Sequence, residues 1–322
     1  FFEGILVGFV VGLIIGSFVW VLHQASVIRQ FIYQSYITPA LFAGNWLPFI
    51  GWIVFALLLS LIIYRLCIHE TMAMGGGIPQ VKGELLGIFH MKWLSVLYVK
   101  FIGVVLGILG GLSIGREAPS VQIGAAAAKG ISRLFGRFPL EEKYLITSGS
   151  SAGLAAAFNA PVAGILFAVE EVHRHISKKL LVVCMAATIT ADLVSKILYG
   201  TETVFNFSMA EKLPLVNYWT LILFAVVLSV LGVLYIFLME FFMKVQDGLK
   251  LKSEYKLIPY FLLPILILAF MPNLLGGGGF LMKELQSVDY PIYMLIIIFI
   301  VKLLFSIICF NVKISFLIFV KS

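Results

Sequence analysis

Charged side chains are the scarcest part of this sequence. Lysine and arginine number 23 and aspartate and glutamate 16 among 322 residues, so charged positions are 12% of the chain against 61% hydrophobic ones. So few charges cannot cover a water-soluble globule, and a mean hydropathy of +1.07 points to an all-α polytopic membrane protein. The net charge is +7, but the basic residues fall mostly in short loops between apolar runs, the pattern of cytoplasmic loops and not of nucleic-acid binding. The cysteines are only Cys67, Cys184 and Cys309. Each lies in or beside an apolar segment without paired spacing, which suggests neither a disulfide framework nor a zinc site. There is no His-Glu-x-x-His and no phosphate loop ending in Gly-Lys-Ser/Thr, so an enzyme is not expected, nor a cofactor. His173 and His175 beside Glu170 and Glu171 are metal-ligand types, yet Arg174, Lys178 and Lys179 adjoin them. That composition reads as a basic loop, and no metal is expected. Phe1 is not an initiator and no charged leader precedes the first apolar run, so no signal peptide is recognised and the N-terminus reads as cut.

Apolar runs are what the chain has in abundance. Spans are predicted over 4–22, 46–67, 93–112, 180–199, 219–242 and 292–310, with a further apolar segment over 258–270. Gly4, Gly8, Gly12 and Gly16 recur every four residues, as do Gly103, Gly107 and Gly111. Small residues at that spacing let helices approach closely in lipid. The basic segments 173–179 and 244–256 are two spans apart, so both fall on one side, expected to be cytoplasmic. Asn206-Phe207-Ser208 is a glycosylation triplet on the other side, of a kind common by chance.

Three stretches interrupt the apolar pattern. Gly75-Gly76-Gly77-Ile78-Pro79-Gln80 opens a segment too short to cross about 30 Å of hydrocarbon, so it reads either as a half-helix whose glycines expose backbone amides or as an interfacial turn. Gly115-Arg116-Glu117-Ala118-Pro119 puts a cation and a carboxylate in an apolar region and reads as a loop that opens a helix at Glu117 or Ala118, with a short polar turn between two packed spans as the alternative. A helix N-terminus offers unpaired N–H groups to an anion. Half a positive charge about 4 Å from an anion contributes about 2 kcal/mol at an effective dielectric near 20. Lys129, Arg133, Arg137, Glu141, Glu142 and Lys143 are expected to form a charged connection. Beyond it, residues 148–161 are rich in Ala, Gly and Ser and read as two short helical pieces broken at Asn159–Pro161. The run that follows ends at Glu170-Glu171, which could mark where the helix reaches water or could serve function.

The glycine clusters Gly75–Gly77 and Gly276–Gly279 occupy matching places in two halves, the sign of an inverted-repeat transporter with a midplane site. No counterpart of 115–119 follows the second cluster. Residues 1–199 are therefore expected to be a first transmembrane repeat, 200–214 an extracytoplasmic loop, 215–310 a partial second repeat and 311–322 an atypical tail.

Together Gly75–Pro79, Gly115–Pro119 and the stretch from Gly153-Leu154-Ala155-Ala156-Ala157-Phe158-Asn159-Ala160-Pro161 to Glu170-Glu171 resemble the three signatures of the CLC chloride channels and proton-coupled chloride transporters. They occur in the family's order, and the resemblance covers about residues 4–310. It implies a CLC-like inverted-repeat fold with broken and half-spanning helices, the second repeat incomplete, in a multi-pass protein of the cell membrane. It implies chloride and proton as substrates, membrane lipid as surroundings and a homodimer with one anion pathway per subunit. Glu117 would be the gating glutamate and Glu171 the proton relay. The anion would meet the backbone of Gly76, Gly77, Ile78, Pro79, Gly115, Arg116 and Ala118. Gly76 stands where the family usually has serine, so that contact would lack a hydroxyl. Proton-coupled chloride exchange is the expected function, with a passive gated chloride channel or a truncated, non-transporting membrane fragment as alternatives.

Overall fold

The computed structural model describes residues 1–173, 177–200, 214–248 and 258–318. Among them every regular element is helical. Among the described residues five helices are long and apolar enough to cross a membrane, namely Phe2–Phe42, Leu47–His69, Lys178–Tyr199, Leu215–Val245 and Ile292–Phe310.

The first, α1 (Phe2–Ile32), runs on through a π-helical turn at Tyr33–Ile37 into α2 (Thr38–Phe42). It is far longer than the predicted 4–22. Its glycine stripe packs on α9 (Lys178–Tyr199): a side chain on Gly4 would meet the Val183 carbonyl oxygen at 2.8 Å, one on Gly8 the Thr190 Cβ at 2.8 Å and one on Gly12 the Ala191 carbonyl oxygen at 2.9 Å. The glycines thus bring two backbones into contact, as their spacing predicts. Val7, Val11, Ile15 and Phe18 flank the stripe and are fully buried. They form one core with Ile123, Ala127 and Ala128 of α6 (Glu117–Leu134) and Ala152 and Ala156 of α7 (Pro139–Phe158). Where α6 crosses α7, a Cβ on Gly124 would lie 3.2 Å from the Gly153 Cα.

The other glycine stripe does not do this. Gly103 faces nothing within 4 Å, Gly107 meets only Ile114 and Leu112 of its own segment, and Gly111 lies beyond the helix at φ +92°. The helix, α5 (Trp93–Leu109), ends three residues earlier than predicted. Its 17 residues reach about 26 Å at ~1.5 Å per residue, slightly short of the hydrocarbon thickness.

The predicted charged connection is also shorter than expected. Lys129 and Arg133 belong to α6 and Glu141, Glu142 and Lys143 to α7, whose helix starts at Pro139. Lys129 is buried and pairs with buried Glu84, which also accepts from the Met91 N–H, so it acts as an internal anchor. The stretch 148–161 is therefore the end of a long helix and not a short piece. Its break stands where predicted: Asn159 is left-handed at φ 55°, and α8 (Pro161–Phe167) follows.

The two glycine clusters open matching structures. A 3-10 turn at Thr71–Ala73 leads through Gly75 (φ 71°) and Gly77 (φ 113°) into the eight-residue α4 (Ile78–Leu85). A second at Pro272–Leu274 leads through Gly276 (φ 71°) and Gly278 (φ 91°) into the nine-residue α12 (Gly279–Ser287). Each turn follows an apolar helix, α3 (Leu47–His69) or α11 (Ile258–Phe270), and each short helix precedes another, α5 or α13 (Ile292–Ile318). The backbone of α13 continues helical past Phe310, so no break separates the tail as far as Ile318. Arg174, His175, Asn206 and most of 244–256 lie outside the described residues.

Replacing Gly8 by Val should separate α1 from α9, since the new side chain would have to displace the Ala187 carbonyl. We expect a loss of about 1–3 kcal/mol, read as a lowered midpoint in thermal unfolding in detergent. Gly51→Val, where nothing lies within 4 Å, should leave that midpoint unchanged.

Candidate anion and proton sites

The starts of α4 and α6 meet. A Cβ on Gly76 would lie 3.9 Å from the Ala118 Cβ, and one on Gly77 would lie 2.8 Å from the Ala118 carbonyl oxygen and 2.9 Å from the Gln122 Cβ. Gly77 thus has two reasons to be glycine, its positive φ and this approach. First-turn N–H groups have no intrahelical carbonyl to bond, so the amides of Ile78, Glu117 and Ala118 are on offer at this junction. Two expected contacts need correction. Pro79 has no N–H and serves only to set the turn, while the Gly77 N–H is engaged by its own helix, donating to the Gln80 Oε1 at 3.0 Å.

Glu117 is the first residue of α6 and is exposed. Its carboxylate folds back over Gly115, where any side chain would collide with it. Arg116, which caps α6, places its guanidinium 5.6 Å from the centre of the Phe158 ring. The second and third sequence motifs are thereby joined at this end of α6. Glu171 lies apart from this group, on the π-helical turn Ala168–His173, where it accepts from Lys82 of α4. His173 of the same turn has its Nδ1 3.3 Å from the Thr147 Oγ1.

The residues that hold the glycine turn were not anticipated. Lys100, in the middle of α5 and 4% exposed, donates to the carbonyls of Ala73 at 2.9 Å and Gly75 at 2.7 Å. Gln80 donates to the Met74 carbonyl at 2.7 Å and Gln122 to the Met72 carbonyl at 2.6 Å. The carbonyls of 72–75 are thus all bonded to side chains. In the second half, Lys302 of α13 donates to the carbonyls of Leu274 at 2.8 Å and Gly276 at 2.6 Å. This repeats the Lys100 arrangement at the corresponding carbonyls of the second turn. Arg29 of α1, fully buried, bonds the Ile108 carbonyl at 2.6 Å and reaches Leu275. Ser113 lies between Lys302 and Ser306. A sequence signal existed, since Arg29, Lys100 and Lys302 are lone cations in apolar runs.

Two Gly-x-Ser-x-Gly spacings occur, at Gly111–Gly115 and Gly149–Gly153. Neither is a nucleophile elbow, which needs a strand-to-helix turn. Ser113 sits in the polar cluster just described, and Ser151 is buried within α7, donating to the Gly164 carbonyl at 2.7 Å.

Lys100→Met should free the Ala73 and Gly75 carbonyls and loosen the turn locally. Amide hydrogen exchange over 70–80 is expected to speed up about tenfold or more, the factor that about 1.4 kcal/mol represents, while exchange in α1 and α9 stays unchanged. Lys100→Arg should fall between the two. Equal exchange in wild type and Lys100→Met would mean that the turn holds itself.

Residues 55–320 match the family model described as voltage gated chloride channel. The match includes most of the tail that was expected to be atypical. An H(+)/Cl(-) exchange transporter ClcA of Vibrio vulnificus (strain YJ016) is 30% identical, with 96% of this chain and 67% of the relative covered. One of Vibrio parahaemolyticus serotype O3:K6 is also 30% identical, with 83% and 59% covered. The chain therefore spans roughly three fifths to two thirds of the length of these curated relatives. Among solved structures, a slow cyanobacterial Cl-/H+ antiporter superposes with a TM-score of 0.86 at 22% identity, covering 97% of this chain and 73% of that one. A CLC-type fluoride/proton antiporter gives 0.78 at 19% identity, with 97% and 75% covered. Both share the fold, an integral multi-pass membrane architecture. On the match over 55–320 and the ClcA relatives, the chain belongs to the voltage gated chloride channel family, the CLC proteins.

Proposed function

We propose that this chain carries the anion and proton sites of a proton-coupled chloride exchanger. The observation that carries the reading is the meeting of two helix N-termini at Gly76, Gly77 and Ala118, with the Glu117 carboxylate lying over Gly115 beside them. An anion at that junction meets two positive helix ends. At about 2 kcal/mol each, they offset part of its desolvation. Glu117 is the gate, because its carboxylate carries the charge that the same ends attract. Glu171 is the relay, because a carboxylate outside the anion junction can pass protons without crossing the anion's path. The ClcA relatives are named as H(+)/Cl(-) exchange transporters, which favours exchange over a passive pore and a transporter over an enzyme. We place the protein in the cell membrane, as a homodimer, with 173–179 on the cytoplasmic side. Cross-linking in native membranes tests the dimer.

The test uses the protein reconstituted in vesicles with voltage clamped by an ionophore. Glu117→Gln mimics the protonated gate, so chloride efflux should persist while proton movement stops following the chloride gradient. Glu171→Gln should abolish chloride-driven proton movement and leave chloride efflux. If both fluxes are unchanged in Glu117→Gln, the residue is a turn residue and the gate assignment fails.

Gly76 offers a second check. Its position has room for a Cβ, with Ala118 at 3.9 Å as the nearest group, and its φ is not among the positive ones. Gly76→Ser should therefore fold and add one hydroxyl donor to the anion. Hydrogen bonds to charged groups are worth about 1.5–3 kcal/mol when buried, so chloride affinity by calorimetry should rise about tenfold. Unaltered affinity would place the anion away from Gly76.

A further inference from the structure

We propose that Lys82 is a positioning residue for proton entry, holding the Glu171 carboxylate charged and tying its protonation to the helix that presents amides to the anion. The inference rests on the exchange reading above. The Lys82 ammonium donates to the Glu171 Oε1, and the two side chains are 24% and 48% exposed. A pair this open adds little stability. Its consequence lies in where it sits: Lys82 is four residues from Ile78 along α4, about 6 Å at ~1.5 Å per residue, so one short helix carries the anion-facing turn and the partner of the relay.

Two neighbouring side chains are engaged elsewhere. Glu84, further along α4, is paired with Lys129 of α6. His173 bonds Thr147 and lies against Tyr144, both of α7. Glu170 adjoins Glu171 in sequence, and Arg174 and His175 lie outside the described residues.

The step is a proton transfer from hydronium in the adjoining water to the Glu171 carboxylate. One O–H bond of hydronium breaks and leaves water, one O–H bond forms on the carboxylate, and Lys82 keeps its own proton and loses only its charged partner. Once Glu171 is neutral, the Lys82 charge stands unpaired one turn from the amides of α4, which favours an anion there. By linkage an anion bound there favours the proton on Glu171 to the same degree. Lys82 therefore gives the two substrates a direct electrostatic connection in addition to the gate.

The experiment measures the pH at which proton movement is half-maximal, at low and high chloride, for the reconstituted protein and its Lys82→Met and Lys82→Arg variants. Removing the cation destabilises the charged carboxylate, so Lys82→Met should move the midpoint to higher pH by about one unit. Its midpoint should also depend less on chloride, because the charge that links the proton to the anion is gone. Lys82→Arg should keep the wild-type midpoint. A wild-type midpoint in Lys82→Met, or an equal shift in both variants, overturns the role of the Lys82 charge. Wild-type protein that moves no protons against a chloride gradient overturns the exchange reading, and this inference with it.

Discussion

Backbone that is not helical can lie at membrane depth only if its polar groups find partners, and everything functional here depends on that constraint. Two turns break the helical pattern, at 71–77 and at 272–278, and each would expose a run of carbonyls to a medium without water. Lys100 and Lys302 answer it in the same way, each reaching from the following helix to two carbonyls. An ammonium suits the task because it has three donors and no acceptor. It neutralises the carbonyl side of the turn and leaves the amide side for a negative ligand. A neutral donor such as Gln has two N–H groups but would not add to the positive potential.

Short helices can start inside the protein only if their neighbours come close. That closeness comes from glycine and alanine on α1, α6, α7 and α9, where backbone meets backbone. The compact half built this way holds the junction of α4 and α6 rigidly. Buried Glu84 and Lys129 fix the far end of α4 to α6, so α4 is held at its start by glycine contacts and at its end by an ion pair. Such a pair is a weak source of stability, but removing one partner leaves a buried charge. Its value is in orientation.

Much of this was legible in the residues. The start of α6 at Glu117, the half-helix after Gly77, the break at Asn159 and the matching second glycine turn were all expected, because each depends on local chemistry: proline in a first turn, glycine where φ is positive. Tertiary partnership was not legible. Gly103, Gly107 and Gly111 have the spacing of Gly4, Gly8 and Gly12, yet only the latter face another backbone, since spacing cannot say what lies opposite. Lys129 and the glutamates near it were read as a loop because they are charged, although partners elsewhere allow Lys129 to be buried in a helix. The lysines inside α5 and α13 were overlooked among their apolar neighbours, where an unexplained cation was the stronger clue. The second-half helix shows the same limit: it runs on from the expected span into the stretch that was expected to be an atypical tail, as far as Ile318.

On the proposed reading, proton coupling follows from the same electrostatics that make the site. Two helix ends contribute about 4 kcal/mol to a single negative charge in the junction. A second negative charge about 4 Å away costs about 4 kcal/mol at an effective dielectric near 20. The gain from both helix ends is then cancelled when the Glu117 carboxylate and an anion are present together. The system has two ways out: the carboxylate leaves, or it takes up a proton. Leaving needs only a rotation, since Glu117 is exposed and its carboxylate lies over Gly115, which has no side chain. Protonation needs a supply, which is where an ion-paired Glu171 on the flank of α4 matters. An uncharged residue in place of Glu117 would have no such conflict, so anion movement would continue without a proton attached to it.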